Sequence, residues 1–289
     1  MIVAKDFNLD YTFESGQPIT FYGDYNRSKG LLSYVTSCGR FEISAKLSGH
    51  VTKIDAHYHG RERLSAKDVE DEVRRRLSIE DRMQSIYARI DTDAFMHSAI
   101  NKYYGMRITS NDPWEASLSF VVSQFNNIKR IRGIMKRLIA KFGIKCACEG
   151  SEYSLFPEAN RIANASLSDL DACGAGFRSK YIRGIAREFV ENGSLRSIQD
   201  MDYASAKEAL MSFDGIGDKV ADCILLMGYR KLEAFPIDTW VKRVLEHAYF
   251  GGDRKKIKEL HEFAWAKWDN LRGYAQQYIF WYGKNIYGR

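Results

Sequence analysis

Residues 41–47, FEISAKL, place Phe41, Ile43, Ala45 and Leu47 on one side of an alternation and Glu42, Ser44 and Lys46 on the other. A period of two is that of a half-buried strand. Gly16, Gly23, Gly30, Gly39 and Gly49 punctuate the same region at turn-like intervals, so the first 60 or so residues predict strands of an antiparallel sheet. From Ser65 the period becomes helical. Ser65 with Asp68, and more strongly Asp112-Pro113 with Glu115, mark helix starts: a capping side chain, a proline at the first position, then an acid in the first turn. Ile128, Ile131, Met135, Leu138 and Phe142 recur at three- and four-residue spacing and stop at Gly143. Ser166 with Asp169 opens another helix. Further helical stretches are SKYIRGIAREFV, ASAKEALM, DKVADCILLMGY, DTWVKRVLEHAYF, a charged segment near 253–268, and GYAQQYIFWYG.

This pattern predicts an α+β chain without internal repeats. An N-terminal antiparallel β-sheet domain with a flanking helix covers residues 1–90, and a mostly helical body covers 91–289. The 289 residues are enough for a sizeable core, and 45% hydrophobic and 13% aromatic content describe a folded globular protein. No run of about 18 apolar residues marks a membrane span, and MIVAKDFNLDY lacks the apolar core of a signal peptide. An intracellular, cytoplasmic protein is expected. The net charge of +6 suits an anionic partner. Its distribution is more telling, because residues 129–145 hold seven Lys or Arg and no acid. The five cysteines are scattered, as for reduced thiols. Cys146-x-Cys148 has no second ligand pair, and no C-terminal cysteine cluster exists to hold iron and sulfur, so no metal is expected.

The densest chemistry lies in FDGIGDKVADCILLM, residues 213–227, where a glycine hairpin joins two helices over about 205–228. Gly215 and Gly217 allow unusual backbone angles and close approach of another molecule. Amides at the next helix start are free to meet a phosphate oxygen, a contact that reads backbone rather than sequence. Taken alone, such a pair of glycines would be explained by helix packing. Lys219 and Cys223 are i and i+4 and share a helix face beside the apolar stripe of Val220, Ile224 and Met227. An amine held there loses solvent and becomes a usable nucleophile; most helical lysines simply hang in water. Asp238, after Pro236-Ile237, is an N-cap candidate. A free oxygen on that cap would stabilise positive charge developing on a sugar. Gln276 and Phe280 are also i and i+4, an amide and a ring suited to the edge and face of a base, although helical aromatics are usually core.

Together these residues resemble the helix–hairpin–helix superfamily of base-excision DNA glycosylases. DGIGDKVADCILLM followed by AFPIDTW is most similar to its 8-oxoguanine branch. SGQPITF (15–21), NNIKRI (126–131) and GYAQQYIF (273–280) extend the resemblance over most of the chain. It implies a bifunctional glycosylase and AP lyase that flips 8-oxoguanine out of duplex DNA. Lys219 would be the nucleophile and Schiff-base amine, and Asp238 the essential carboxylate. Gly16, Cys223, Pro236, Gln276 and Phe280 would form the base pocket, the Gly16 carbonyl accepting the N7 hydrogen. Asn126, Asn127, Arg130, Phe177, Arg178, Gly215, Gly217, Val220 and Trp240 would contact DNA. Within that set Arg130 and Arg178 would meet the orphaned base, Phe177 would be the wedge, and the basic helix 128–142 would follow the phosphates. The partner implied is double-stranded DNA containing oxidised guanine, bound by a monomer at a prokaryotic nucleoid. No cofactor is implied beyond a monovalent cation at the hairpin carbonyls.

Three departures from the branch stand out. Phe125 occupies the position of a third asparagine, which relaxes the expected selectivity for the opposite base. Trp240 replaces a phosphate-holding histidine, and Asp214 replaces the hairpin proline. Two other readings remain open. An alkylated-base glycosylase of the superfamily would not typically carry the hairpin lysine. A non-catalytic DNA-binding module would not need Lys219, Asp238 and the Gln276–Phe280 pair together.

Overall fold

A five-stranded sheet with the order β1-β5-β4-β3-β2 opens the chain, built from β1 (Ile2–Lys5), β2 (Asp24–Asn26), β3 (Leu31–Val35), β4 (Gly39–Ser48) and β5 (Val51–Gly60). All pairings are antiparallel, with Tyr34 opposite Phe41 and Phe41 opposite Tyr58. The computed structural model describes residues 1–148, 151–191 and 194–287. The alternation seen in the sequence buries Phe41 and Ile43, leaves Ala45 half-buried, and loses its cover at Leu47, which is exposed near the turn at Gly49.

The expectation of strands throughout the first 60 residues needs correction. Residues 9–22 form α1 (Leu9–Glu14) and α2 (Pro18–Tyr22). Asn8 caps α1 by accepting from the Tyr11 amide at 3.1 Å, and Pro18 opens α2.

The helical body begins with α3 (Ala66–Arg76), which Ser65 and Asp68 start as a reciprocal capping box. It continues with α4 (Met83–Ile90), α5 (Ala94–Lys102), α6 (Pro113–Ser123) and α7 (Ile128–Phe142). A small hairpin that the sequence reading did not foresee, β6 (Lys145–Cys148) with β7 (Ser151–Ser154), follows. The Cys148 side chain lies outside the described set, so the Cys146-x-Cys148 reading cannot be followed there. Then come α8 (Ala159–Ala163), α9 (Leu167–Ala172), α10 (Ser179–Glu191), α11 (Ser194–Ser197), α12 (Tyr203–Met211), α13 (Asp218–Gly228), α14 (Thr239–Tyr249), α15 (Ile257–Trp268) and α16 (Arg272–Tyr287).

One hydrophobic core runs from the sheet through the helices. Its centre is α6, which packs against α2, α7, α10 and α13 and is buried from Trp114 to Val122. Arg76 of α3, 1% exposed, pairs with Glu115 of α6 and Glu72, so a buried ion pair braces the sheet-side helix against the body. Removing either partner would strand a charge in the core. No helix among the described residues is long and apolar enough to cross a membrane.

Candidate active site

The hairpin between α12 and α13 requires its first glycine. Gly215 has φ +83°, and a Cβ there would fall 2.3 Å from the Tyr181 ring. The Gly215 carbonyl accepts from Gln124 Nε2 at 2.9 Å, which ties the hairpin to the loop between α6 and α7. Gly217 begins α13 with no side-chain cap, leaving its first amides available to an anion.

Beside this helix start lies a cavity of about 730 Å³. It gathers Lys219, Val220 and Cys223 from α13, Pro236 and Asp238 from the turn into α14, Trp240, Asn126 and Asn127, Gly16, and Gln276 and Phe280 from α16. Residues up to 264 positions apart in the chain thus share one wall.

Lys219 is half-buried, with its ammonium 5.6 Å from the Phe120 ring centre and its charge felt by the Cys223 thiol. Burial pushes that thiol up to about 11, with Lys219 pulling the other way, so Cys223 presents a neutral, polarisable face. Asp238 caps α14 as expected: Oδ1 accepts from the Trp240 amide at 2.9 Å and the Val241 amide at 2.8 Å. One oxygen holds the helix, and the other is left for the cavity. The field of Asp238 reaches both Cys223 and Lys284.

Gln276 is 5% exposed; its Nε2 donates to the Pro236 carbonyl at 3.0 Å, and its Oε1 is buried without a partner. A buried acceptor left unpaired costs stability, so this one is a candidate for a ligand's donor. Phe280 stands one turn on. Gly16, with φ +75°, lies against its ring edge, and a Cβ on Gly16 would come within 3.3 Å of Phe280 Cε1. Gln277 fixes this apposition by donating to the Ser15 carbonyl at 2.8 Å. Gln277 and Lys284 also line the cavity. The sequence reading missed both, although Lys284 is i+4 from Phe280 and could have been found by extending the stripe one turn.

Arg130, Phe177, Arg178 and Gly215 do not line the cavity. Phe177, 53% exposed, stands 6.3 Å from the ring of Phe125, which is 90% exposed and held at φ +46°. The two rings form an aromatic pair at the rim. Arg178, expected to contact the orphaned base, lies beneath the Phe125 loop. It is 2% exposed, and its guanidinium donates to the carbonyls of Gln124, Phe125 and Ala175 while stacking 4.3 Å from Phe177. Its donors hold the loop that carries Phe125, and burial lowers its pKa.

Four cations of the basic helix α7 have partners within the protein. Arg132 binds the Thr20 and Gly23 carbonyls, Lys136 pairs with Asp24, Arg137 binds the Cys173 carbonyl, and Lys141 pairs with Asp169. Lys129 and Arg130 stand exposed at its start, where Asn127 caps α7 by accepting from the Arg130 amide at 3.0 Å.

Behind the hairpin, Asp218 and Asp222 share the Lys207 ammonium at 2.8 and 2.9 Å, and His261 reaches Asp218 at 3.2 Å. The ligand atoms of Asp218, Asp222 and His261 lie within 4.8 Å of one another, a spacing that could hold a metal ion, but Lys207 is the cation the two carboxylates already hold.

Residues 118–270 match the profile of HhH-GPD superfamily base excision DNA repair proteins, and residues 1–116 match that of the 8-oxoguanine DNA glycosylase N-terminal domain. A probable N-glycosylase/DNA lyase of Methanothermobacter thermautotrophicus is 33% identical over 199 residues, 61% of this chain and 62% of the relative, so the match spans less than two thirds of that protein. Among solved structures, MBOgg1 in complex with a low-affinity DNA ligand is 30% identical, with 99% of this chain and 94% of that chain covered at a TM-score of 0.88. The Clostridium acetobutylicum 8-oxoguanine glycosylase/lyase, solved with double-stranded DNA containing cytosine opposite 8-oxoguanine, is 27% identical; 98% of this chain and 93% of that chain are covered at a TM-score of 0.86. The chain belongs to the HhH-GPD superfamily of base excision DNA repair proteins, in which it carries the N-terminal domain of the 8-oxoguanine DNA glycosylases.

Proposed function

We propose that this protein is a bifunctional DNA glycosylase and AP lyase that excises 8-oxoguanine from duplex DNA, acting as a monomer in the cytoplasm at a prokaryotic nucleoid. The observation that carries the reading is the unpartnered Gln276 Oε1, an acceptor set in the same cavity as Lys219 and Asp238. The Watson–Crick edge of guanine offers N1–H and N2–H donors to such an acceptor, whereas adenine places an acceptor at N1. The Gly16 carbonyl would add the second test, since 8-oxoguanine carries a hydrogen on N7 and guanine does not. Phe280 and the neutral Cys223 would hold the two faces of the base.

Lys219, having lost a proton, attacks C1′. The glycosidic bond breaks and its electron pair leaves with the base, while the free oxygen of Asp238 stabilises the positive charge on the sugar. The bond from Lys219 Nζ to C1′ matures to an imine as the sugar ring opens. Loss of a C2′ proton then expels the 3′ phosphate by β-elimination, and water releases the lysine. These steps need side chains alone and no cofactor; a monovalent cation at the hairpin carbonyls would bear on DNA binding only.

Borohydride trapping tests the assignment. Wild-type protein should form a covalent adduct with a duplex containing 8-oxoguanine, and Lys219→Gln should not. An adduct that persists in the variant would overturn the role of Lys219, and its absence from wild type would overturn the lyase reading.

A further inference from the structure

Gln276, Phe280 and Lys284 follow one another at intervals of four along α16, and all three line the cavity. Burial falls along this stripe, from Gln276 at 5% exposure to the half-buried Phe280 and Lys284. Eight residues of helix rise about 12 Å, comparable to a nucleotide measured from base edge to phosphate. The chemistry along the stripe follows the same order: an amide for the edge, a ring for the face, then an ammonium.

Lys284 is well placed to receive an anion. Its ammonium lies 5.7 Å from the Phe280 ring centre and 5.3 Å from that of Trp281. Among the described residues it makes no ion pair. Burial lowers its pKa while Asp238 opposes that effect. The carboxylates lining the cavity are engaged, and its other ammonium belongs to Lys219. Asp218 holds Lys207 and His261, Asp238 caps α14, and Lys219 lies against Cys223 and Phe120. Four cations of α7 already have partners, Arg132 and Arg137 on backbone carbonyls and Lys136 and Lys141 in surface ion pairs.

We infer that Lys284 is a positioning residue that grips a phosphate of the everted nucleotide at the cavity mouth. The inference rests on the reading that this cavity receives a flipped nucleotide. It assigns Lys284 to holding the backbone while Lys219 reacts, so its contribution is to binding rather than to bond cleavage.

The test compares wild type, Lys284→Gln and Lys284→Arg on a duplex containing a tetrahydrofuran abasic analogue, with affinity measured across a salt series. Lys284→Gln should bind roughly tenfold more weakly at low salt, with a log–log salt slope shallower by about 0.9, the signature of one lost phosphate contact. Lys284→Arg should restore both. Single-turnover excision of 8-oxoguanine at saturating protein should change less than about threefold in either variant, since the lost contact binds backbone. Unaltered slope and affinity in Lys284→Gln would overturn the proposal. So would a defect confined to base-containing duplexes, which would place Lys284 on the ring stack, or a fall in the saturated rate with the slope intact, which would place it on Asp238. Failure of the functional reading is separate and would show as wild-type protein that binds the analogue but excises no 8-oxoguanine.

Discussion

The Gln276 side chain donates to the Pro236 carbonyl at 3.0 Å, and this one hydrogen bond decides which end of the amide faces the cavity. With Nε2 committed, Oε1 is left as a buried acceptor. Replacing Gln276 by Leu removes the acceptor, and a lost hydrogen bond to a buried group is worth about 1–3 kcal/mol. Excision of 8-oxoguanine should fall by that equivalent in kcat/KM, and preference over 8-oxoadenine should narrow. Undiminished discrimination would remove Gln276 from base reading.

Gly16 meets the Phe280 ring edge at φ +75°. Gly16→Ala would strain the backbone and press a methyl group toward Phe280 Cε1. The pocket should narrow on the side of the base, weakening binding to 8-oxoguanine duplexes while leaving binding to the abasic analogue within about twofold. Equal loss on both duplexes would mean that the effect is on folding rather than fit.

Phe125 combines 90% exposure with φ +46°, a conformation that is costly for a side chain of this size. Phe125→Gly should therefore raise the unfolding free energy by up to about 1 kcal/mol. The same change should weaken binding to flipped-base duplexes by about 1–3 kcal/mol through lost stacking. Because a ring stacks on any base, wild type should discriminate weakly among the four opposite bases, whereas Phe125→Asn should favour cytosine. Excision rates against each opposite base measure this; strong cytosine selectivity in wild type would contradict it.

The Asp218 carboxyl is held well below the ordinary carboxylate range, chiefly by its hydrogen bond from His261 and then by Lys207. A lowered folded value gives stability that is present above the unfolded value of about 3.9 and lost as pH falls through the folded one. Lys207 is shifted upward; burial opposes the shift, and Asp222 and Asp218 outweigh it. Its contribution is complete below the unfolded lysine value and lost as pH rises through the folded one. The stability gap between wild type and Asp218→Asn should thus be widest from about pH 5 to 9 and shrink on acidification below about pH 4. Denaturant titrations at pH 7 and pH 3 would show it, and a gap that does not change with pH would refute the ionic account. Asp222 is pushed up instead, because complete burial outweighs the same lysine.

The order of elements in the helical body and many of the residues that share the cavity were legible in the chain itself. Lys219 and Cys223 share a face because a helix repeats every 3.6 residues, and Asp238 caps α14 because a cap needs only the next three amides. Such features depend on a handful of consecutive residues. Residues 9–22 fall within the stretch that reads as strands because Gly16 and Gly23 look like sheet turns, while the signals that make them helical are single residues, Asn8 as a cap and Pro18 at a helix start. The β6–β7 hairpin is too short to show a period.

What distance in sequence concealed is of another kind. Arg178 holds carbonyls 53 and 54 residues away, and Arg132 and Lys136 reach back 109 and 112 residues to Gly23 and Asp24. From composition alone these are cations for DNA; only packing shows that they are occupied. The sequence by itself determined the candidate reactive groups, because their type and local spacing carry the proposed chemistry. The tertiary structure decided which polar atoms remain unpaired around them, since hydrogen-bond partners are assigned across the fold, and it left Gln276 Oε1 as such an atom at the cavity.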